Sequence, residues 1–247
     1  MSTKPVLVAS DAHLGSAPPE REAAFLAWLA GTPDLASQLI LNGDLFDFWF
    51  EYLWGTTRGY DRVLDILRDI VAAGVPVTLM GGNHDWWGGR YLRDEVGVEF
   101  LQDPVVRTFA GRKTLLAHGD GLRAGDLGYR VLKVVLRGGL TRFAFGLLPP
   151  ALGDRVAQGV SQTKHRWDGP TEEDRAKARG LEEWAVARMQ AEPGLDLVIL
   201  SHTHIPLLRE VAPQRWYLNP GDWVHHATYA VLAEGEAPRI VNWEEES

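Results

Sequence analysis

The sequence predicts a layered α/β fold: central mixed β-sheets flanked by helices, with a helical cap inserted in the second half. Three observations carry this. Short apolar runs alternate with amphipathic stretches through the first third of the chain, in the strand–helix–strand order of α/β layering. The apolar runs stop at polar clusters, where ligand sites of open α/β sheets gather. Between Gly121 and Pro170 the pattern changes to a helical, apolar and basic stretch without a strand signal. One domain over 1–247, with a cap at 122–170 inside it, is the simplest division. No internal repeat, low-complexity tract or interdomain linker breaks it.

The elements follow in order. Val6 to Ser10 reads as a buried strand feeding Asp11-Ala12-His13. Glu20 to Ala30 carries Ala24, Phe25, Trp28 and Leu29 at helical spacing, and Gly31 is read as its end. Gln38 to Leu41 is a second strand, ending in Asn42-Gly43-Asp44. Asp61 to Ala73 is an amphipathic helix closed by Gly74. Val75 to Met80 is a third strand, broken at Gly81-Gly82-Asn83-His84-Asp85. Thr114 to Ala117 is a strand ending at His118-Gly119-Asp120. The stretch from Asp126 to about Trp167 is helical, and Glu172 to Gln190 is a long helix. Leu195 to Leu200 is a strand ending at Ser201-His202-Thr203-His204, and Trp216 to Ile240 reads as short strands.

Composition narrows the chemistry. The 247 residues, 45% of them hydrophobic, suffice for one sizeable core, or a core plus a small subdomain. A formal charge of −8 argues against general nucleic-acid binding, which leaves a basic footprint. The same acidity can serve to collect cations. The absence of cysteine excludes disulfides, thiolate metal sites and a cysteine nucleophile. Any metal must therefore be held by oxygen and imidazole nitrogen. The stretch Met1 to Val8 carries no signal-peptide pattern and no run of eighteen apolar residues exists, so the expectation is a cytoplasmic protein that does not span a membrane.

Five strand ends carry metal-capable residues: Asp11-x-His13, Gly43-Asp44-x-x-Asp47, Gly82-Asn83-His84-Asp85, His118-Gly119-Asp120 and His202-x-His204. Each alone is weak, since a D-x-H triplet arises by chance and a lone His-x-His is usually a surface pair. Their co-occurrence behind apolar strands is the signal, because strand ends on one sheet edge converge in space. Cleaving a phosphate ester or anhydride requires an attacking oxygen at neutral pH and compensation of phosphoryl charge. Two divalent cations about 3.5–4 Å apart supply both. Such a pair calls for a bridging carboxylate, neutral imidazoles and further oxygen ligands, a set suited to Mn²⁺, Mg²⁺ or Fe. Bland readings stand beside these. Asn83 could serve a left-handed turn. His225 and His226 read as ordinary strand or loop histidines. Trp49, Trp54, Trp86 and Trp87 could stack bases, though ten tryptophans mostly mean core and cap packing.

The ordered set resembles the calcineurin-like metallophosphoesterase pattern D-x-H, G-D-x-x-D, G-N-H-[DE], H, G-H-x-H, from Asp11 to His204. The resemblance implies one metal on Asp11, His13, Asp44 and His204, and a second on Asp44, Asn83, His118 and His202, with Asp44 bridging. His84 would contact substrate as charge stabiliser or proton donor, and Asp47 would orient Asp44 by hydrogen bonding. Ser201 stands where the family usually has glycine; serine is small and the site is expected to survive.

Further stretches, Gly43 to Phe50, His118-Gly119-Asp120-Gly121 with Gly125-Asp126-x-Gly128-Tyr129, and Asn219-x-Gly221-Asp222-Trp223, look like the UDP-2,3-diacylglucosamine pyrophosphatase family. Its members hydrolyse a UDP-linked diacyl sugar to UMP and the sugar-lipid 1-phosphate in lipid A synthesis, over a dimanganese site. By that resemblance the substrate residues would be Asp126, Tyr129, Ser161, Lys164 and Arg166, and the cap a groove for acyl chains at the inner membrane surface. Lys133, Arg137 and Arg142 would offer cations to the diphosphate and to anionic headgroups. The competing reading of the cap is an amphipathic helix pair packed on the core. The best-known branch has arginine at the position of His84, so this chain resembles a sister branch. Two alternatives remain: a same-fold hydrolase of a soluble nucleotide diphosphate or phosphodiester, and a metal-binding scaffold, against which the intact ligand set counts.

Overall fold

The computed structural model describes residues 4–160 and 169–246. In its first half, β1 (Val6–Ala9), α1 (Pro19–Leu35), β2 (Gln38–Leu41), α2 (Asp61–Ala72) and β5 (Val77–Met80) follow the expected alternation. A small hairpin of β3 (Glu51–Tyr52) and β4 (Gly55–Thr56) intervenes, and a π-helical turn over Leu92–Val96 leads to β6 (Glu99–Leu101). The second half has β7 (Val105–Phe109), β8 (Arg112–Leu116), α3 (Leu127–Arg137), α4 (Gly139–Gly146), α5 (Pro150–Val160) and α6 (Glu172–Ala191). It closes with β9 (Leu197–Ile199), β10 (Leu207–Ala212), β11 (Arg215–Asn219), β12 (Thr228–Leu232), β13 (Arg239–Asn242) and α7 (Trp243–Glu246).

Two mixed sheets result, ordered β13-β12-β1-β2-β5-β6 and β10-β11-β9-β8-β7. The period-2 alternation of β1 explains how they stack. Val6 and Val8 face inward with Ile40 and Met80, against Leu116, Leu197, Ile199 and Leu218 of the second sheet. Leu7 and Ala9 face outward with Leu39 and Leu41, under Phe25, Trp28, Leu64 and Leu67 of α1 and α2. On the far side Leu115, Val198 and Tyr217 pack against Leu181, Ala185 and Met189 of α6. The layers are thus helix, sheet, sheet, helix, and each large side chain so buried contributes roughly 1.5–3 kcal/mol.

Helix α1 runs past Gly31, where the sequence predicts its end, and continues through Pro33 to Leu35. Pro33 cannot donate to the carbonyl of Leu29, but the hydroxyl of Thr32 does so at 2.8 Å. That substitution of one donor for another lets the helix continue. Helix α6 begins as expected, with a reciprocal capping box between Thr171 and Asp174.

The pairing positions the site. Strands β1, β2 and β5 are parallel neighbours in one sheet, and β8 and β9 are parallel neighbours in the other. Their C-terminal ends lead to Asp11, Asp44, Asn83, His118 and His202.

Candidate metal centre

The loops after β1 and β2 run side by side. Asp11 N–H donates to Gly43 O, His13 N–H to Asp44 O and Leu14 N–H to Leu45 O, each at 3.0 Å. This pairing leaves little room for ordinary backbone. Of the eight non-glycine residues with positive φ among the described residues, five are candidate ligands: Asp11 (51°), His13 (45°), Asp44 (52°), His202 (68°) and His204 (63°). Strained conformations of this kind are held only where the surroundings over-determine them, and they cluster at functional sites. Asn83 is not among them, so the left-handed-turn reading of that residue does not hold. Two glycines are required by close approach. A Cβ on Gly43 would lie 2.4 Å from His118 Nδ1, and one on Gly82 would lie 2.2 Å from Asp44 Oδ1.

Three sets of ligand-capable atoms come together: Asp11, His13 and His204; Asp44, His118 and His202; and His13, Asp44 and His84. His13 Nε2 and His204 Nε2 are 3.3 Å apart. His204 Nε2 is 3.4 Å from Asp11 Oδ1, and His118 Nε2 is 3.3 Å from Asp44 Oδ2. Atoms each about 2.1 Å from one cation stand roughly 3–3.4 Å from each other, so these spacings suit shared ions. Buried atoms point the same way. Asp11 Oδ1, Asn83 Oδ1 and His118 Nε2 have no hydrogen-bond partner. A buried polar atom left so costs about 1–3 kcal/mol, which a cation would offset. With no thiolate present, this donor set fits hard or borderline divalent ions.

On the protein's own charges, burial raises the Asp11 carboxyl. Burial also opposes ionisation of Asp44, but His118, His84 and His13 outweigh it and hold that carboxyl well below the usual range. His118 is pushed up to about 10: burial opposes its charge, and Asp44, Asp11 and Asp120 overcome that opposition. His202 goes the other way, to about 3, through burial and repulsion from His118.

A second ring of groups orients the first. His118 donates Nδ1–H to Asn42 O at 2.9 Å, directing Nε2 at the centre. His204 donates Nδ1–H to Asp222 Oδ2 at 2.9 Å, and Asp222 also takes His226 Nδ1 at 2.9 Å. His84 donates Nδ1–H to the backbone carbonyl of Asp47 at 2.6 Å. Ser201 is accommodated, because its hydroxyl accepts from Asn42 Nδ2 at 2.7 Å.

The role expected for Asp47 is corrected here. Its carboxylate does not bond Asp44; Oδ1 instead lies 3.8 Å from Nδ1 of both His13 and His84. Between the two residues the chain bends through the left-handed turn at Asp44 and a single bridge of Phe46 to Leu14, and Asp47 N–H is tied to Leu14 O, which carries its carboxylate toward the two histidines. Asp85 does the holding. One of its oxygens accepts from Gly82 N–H (2.7 Å) and Asp44 N–H (3.3 Å), the other from Leu45 N–H (2.8 Å) and Phe46 N–H (3.4 Å). Burial and the charge of Asp44 push its carboxyl up to about 7. Nothing in the sequence but its place after His84 marks it.

A cavity of about 710 Å³ opens on the centre, and Asp44, Asn83, Asp126, Tyr129, His202 and His204 are among its walls. Asp126 and Tyr129 are thus placed beside the metal-capable residues, with Asp126 held by Arg123 at 2.5 Å. Ser161, Lys164 and Arg166 lie outside the described residues. Lys177, which no sequence motif marks, also lines the cavity, and so do His225 and His226, which the sequence reads as ordinary strand or loop histidines. The motif around Asp222 was the available signal for the two histidines. Lys133 and Arg137, expected to serve a diphosphate, are instead engaged by Asp120 at 2.7 and 3.1 Å. Trp49 and Trp86 are buried as expected, whereas Trp54 at the β3–β4 turn is 74% exposed.

Comparison with known proteins places this arrangement. A family model, calcineurin-like phosphoesterase, matches residues 4–206. A UDP-2,3-diacylglucosamine hydrolase of Porphyromonas gingivalis is 29% identical over 90% of this chain and 91% of its own. Another, of Pseudomonas fluorescens, is 30% identical over 88% of both chains. Among solved structures, vacuolar protein sorting 29 from Cryptosporidium parvum covers 98% of this chain and 97% of its own, at 16% identity and a TM-score of 0.47. With the family model spanning most of its length and a relative 30% identical over 88% of both chains, the chain belongs to the calcineurin-like phosphoesterase family and is a metal-dependent hydrolase.

Proposed function

We propose that this enzyme cleaves the diphosphate of UDP-2,3-diacylglucosamine, releasing UMP and 2,3-diacylglucosamine 1-phosphate. The names of its relatives support the reading. The observation that carries it is the apolar surface of α3, α4 and α5, which we take as a cap over 122–170. Helix α3 has no buried residue at all. Leu140 is 83% exposed, Val134 72% and Phe143 67%. That exposure disfavours packing on the core, which was the competing reading of these helices, and a soluble nucleotide has no use for such a surface. Acyl chains and a membrane face do. Among the described residues no helix is long and apolar enough to cross a bilayer. The proposal is therefore a peripheral enzyme on the cytoplasmic face of the inner membrane.

In the centre, Asp11, His13, Asp44 and His204 would hold one divalent ion, and Asp44, Asn83, His118 and His202 the other, with Mn²⁺ as the proposed metal. Such ions polarise phosphoryl oxygens and lower the pKa of water at neutral pH. Asp222 and the Asn42 carbonyl fix the rings of His204 and His118. Asp85 fixes the loop that carries Asp44. His84, set by its bond to the Asp47 carbonyl, would hold a proton for the leaving phosphate or stabilise its charge. Asp126 and Tyr129 would meet the polar part of the substrate, with Ser161, Lys164 and Arg166 proposed alongside them. Release of UMP from UDP-2,3-diacylglucosamine with Mn²⁺ in mixed micelles tests the reading. Equal or faster turnover of soluble UDP-sugars would replace it with the soluble-substrate alternative.

A further inference from the structure

Helix α3 lies beside the metal centre, yet Leu127, Val131, Val134 and Val135 are all more than half exposed and none of its residues is buried. Burial of apolar surface therefore does not hold it there. Its attachment is polar. Tyr129, Lys133 and Arg137 follow one another at intervals of four residues and so occupy one stripe of the helix. All three reach the same atom. Tyr129 Oη–H donates to Asp120 Oδ2 at 3.1 Å, Lys133 Nζ lies 2.7 Å from it and Arg137 donates to it at 3.1 Å. Lys133 also donates to the Asp120 backbone carbonyl at 3.1 Å, and Arg137 to the carbonyl of Gly82 at 3.2 Å. The Arg137 guanidinium then stacks over Trp86, 4.6 Å from the ring centroid. The side chain of Asp120 is only 6% exposed, so these charge-assisted bonds are shielded from water.

We infer that Asp120 is a positioning residue that fixes α3 over the metal centre, its Oδ2 gathering Tyr129, Lys133 and Arg137. The anchor points are well chosen for that task. Asp120 sits two residues after His118, and Gly82 immediately precedes Asn83, so the helix is tied to both loops that supply those ligands. Tyr129 and Asp126 then stand in the cavity wall at a set distance from the centre. Because no residue of α3 is fully buried, the helix can release its hold on Asp120 without opening a core. The placement of α3 is independent of which ester is cleaved; only the kinetic arm below rests on the substrate proposed above.

The test is hydrogen exchange on the full chain loaded with Mn²⁺. Asp120→Asn keeps the shape and removes the charge. It should speed exchange of the amides of α3 on the order of ten-fold or more, the size expected from a lost charge-assisted bond. Protection of β1 and β2 and the content of two ions should stay as in the parent. Should Asp120→Asn fail to fold, Lys133→Met with Tyr129→Phe removes two of the three bonds to Asp120 Oδ2 from the helix side, leaves Arg137 on Gly82 and Trp86, and should give an α3-specific change in the same direction. In the kinetic arm, Asp120→Asn should raise KM for the lipid substrate by a larger factor than it lowers kcat. Unchanged α3 exchange in the folded variants overturns the inference. So does loss of metal without a change in α3, since Asp120 would then be acting on His118. A parent enzyme that turns over no lipid refutes the substrate reading, and the exchange result decides the inference separately.

Discussion

Asp85→Asn sets two opposing effects against each other. In the parent the carboxylate accepts four backbone N–H bonds, and each oxygen has one short and one long bond. Whichever way the asparagine amide turns, its NH₂ faces two N–H donors. The loss is one short and one long bond plus two stranded donors, about 3–5 kcal/mol. Against this, burial and the charge of Asp44 push the Asp85 carboxyl from 3.8 up to about 7. An acid whose folded value is raised is favoured below its unfolded value and penalised as pH rises through the folded one. Above that value, three units correspond to about 4 kcal/mol, a figure already net of the bonds from Gly82 and Leu45, and a neutral amide escapes it. In metal-free protein near pH 8 the lost N–H bonds are therefore already counted, and the variant should melt no lower than the parent. Divalent ions neutralise Asp44 and remove its share of the penalty from the parent alone, leaving the lost N–H bonds exposed. A difference of about 2 kcal/mol then weakens Mn²⁺ binding roughly 30-fold. Calorimetric titration of Mn²⁺ and thermal melts with and without metal measure both sides. A metal-free drop of roughly 6–12 °C with unaltered Mn²⁺ affinity would refute the reasoning.

Four other outcomes are expected. Asp44→Ala should lose both ions and several orders of magnitude in activity, and metal analysis finding two ions still bound would sink the bridging assignment. His84→Ala should keep its metal and lose on the order of 10²–10⁴ in turnover; loss of one equivalent would make it a ligand. His118, pushed up to about 10, must give up a proton to bind metal. Below that value Mn²⁺ affinity should therefore rise with pH, about ten-fold per unit for each proton released, and a flat profile from about pH 6 to 9 would contradict it. Phe143→Asp removes an exposed apolar ring, so the fold should hold by thermal melt while KM rises for the lipid substrate and not for a small chromogenic phosphodiester; an unchanged ratio of the two activities would remove the case for a lipid surface.

The buried parallel strands and the residues just past them could be read directly, because both signals are local: an apolar run, then a metal-capable cluster. What escaped reading was not local. Strands β6, β7 and β10 are sheet edges, half-exposed, with mixed polar and apolar residues in β7 and β10, so no continuous apolar run marks them. The sequence ends helix α1 too early, at Gly31, because the hydroxyl of Thr32, a property of one rotamer, replaces the bond Pro33 cannot make. The carboxylates were sorted by chemistry and not by partner. The motif gives Asp47 the task that Asp85 performs and gives Asp120 and Asp222 none, since the N–H groups, imidazoles and cations they meet come from other loops. The strong amphipathic pattern of α3 fits a buried face and an exposed one equally well, and only the fold decides between them.

The proposed ligands run from Asp11 to His204, and this spread has a consequence during synthesis on the ribosome. Asp11 and Asp44 emerge early with the strands of the first sheet, but their imidazole partners His202 and His204 emerge only after α6 and β9. Metal cannot complete the centre until more than four-fifths of the chain has left the exit tunnel. Until then the left-handed turns at Asp11 and Asp44 have no cation to hold them, so the loops should remain labile in the nascent chain. Ribosome-bound chains truncated before His202 are expected to be cut by protease at these loops with or without Mn²⁺. Chains long enough for His204 to clear the exit tunnel should become resistant only when the metal is supplied.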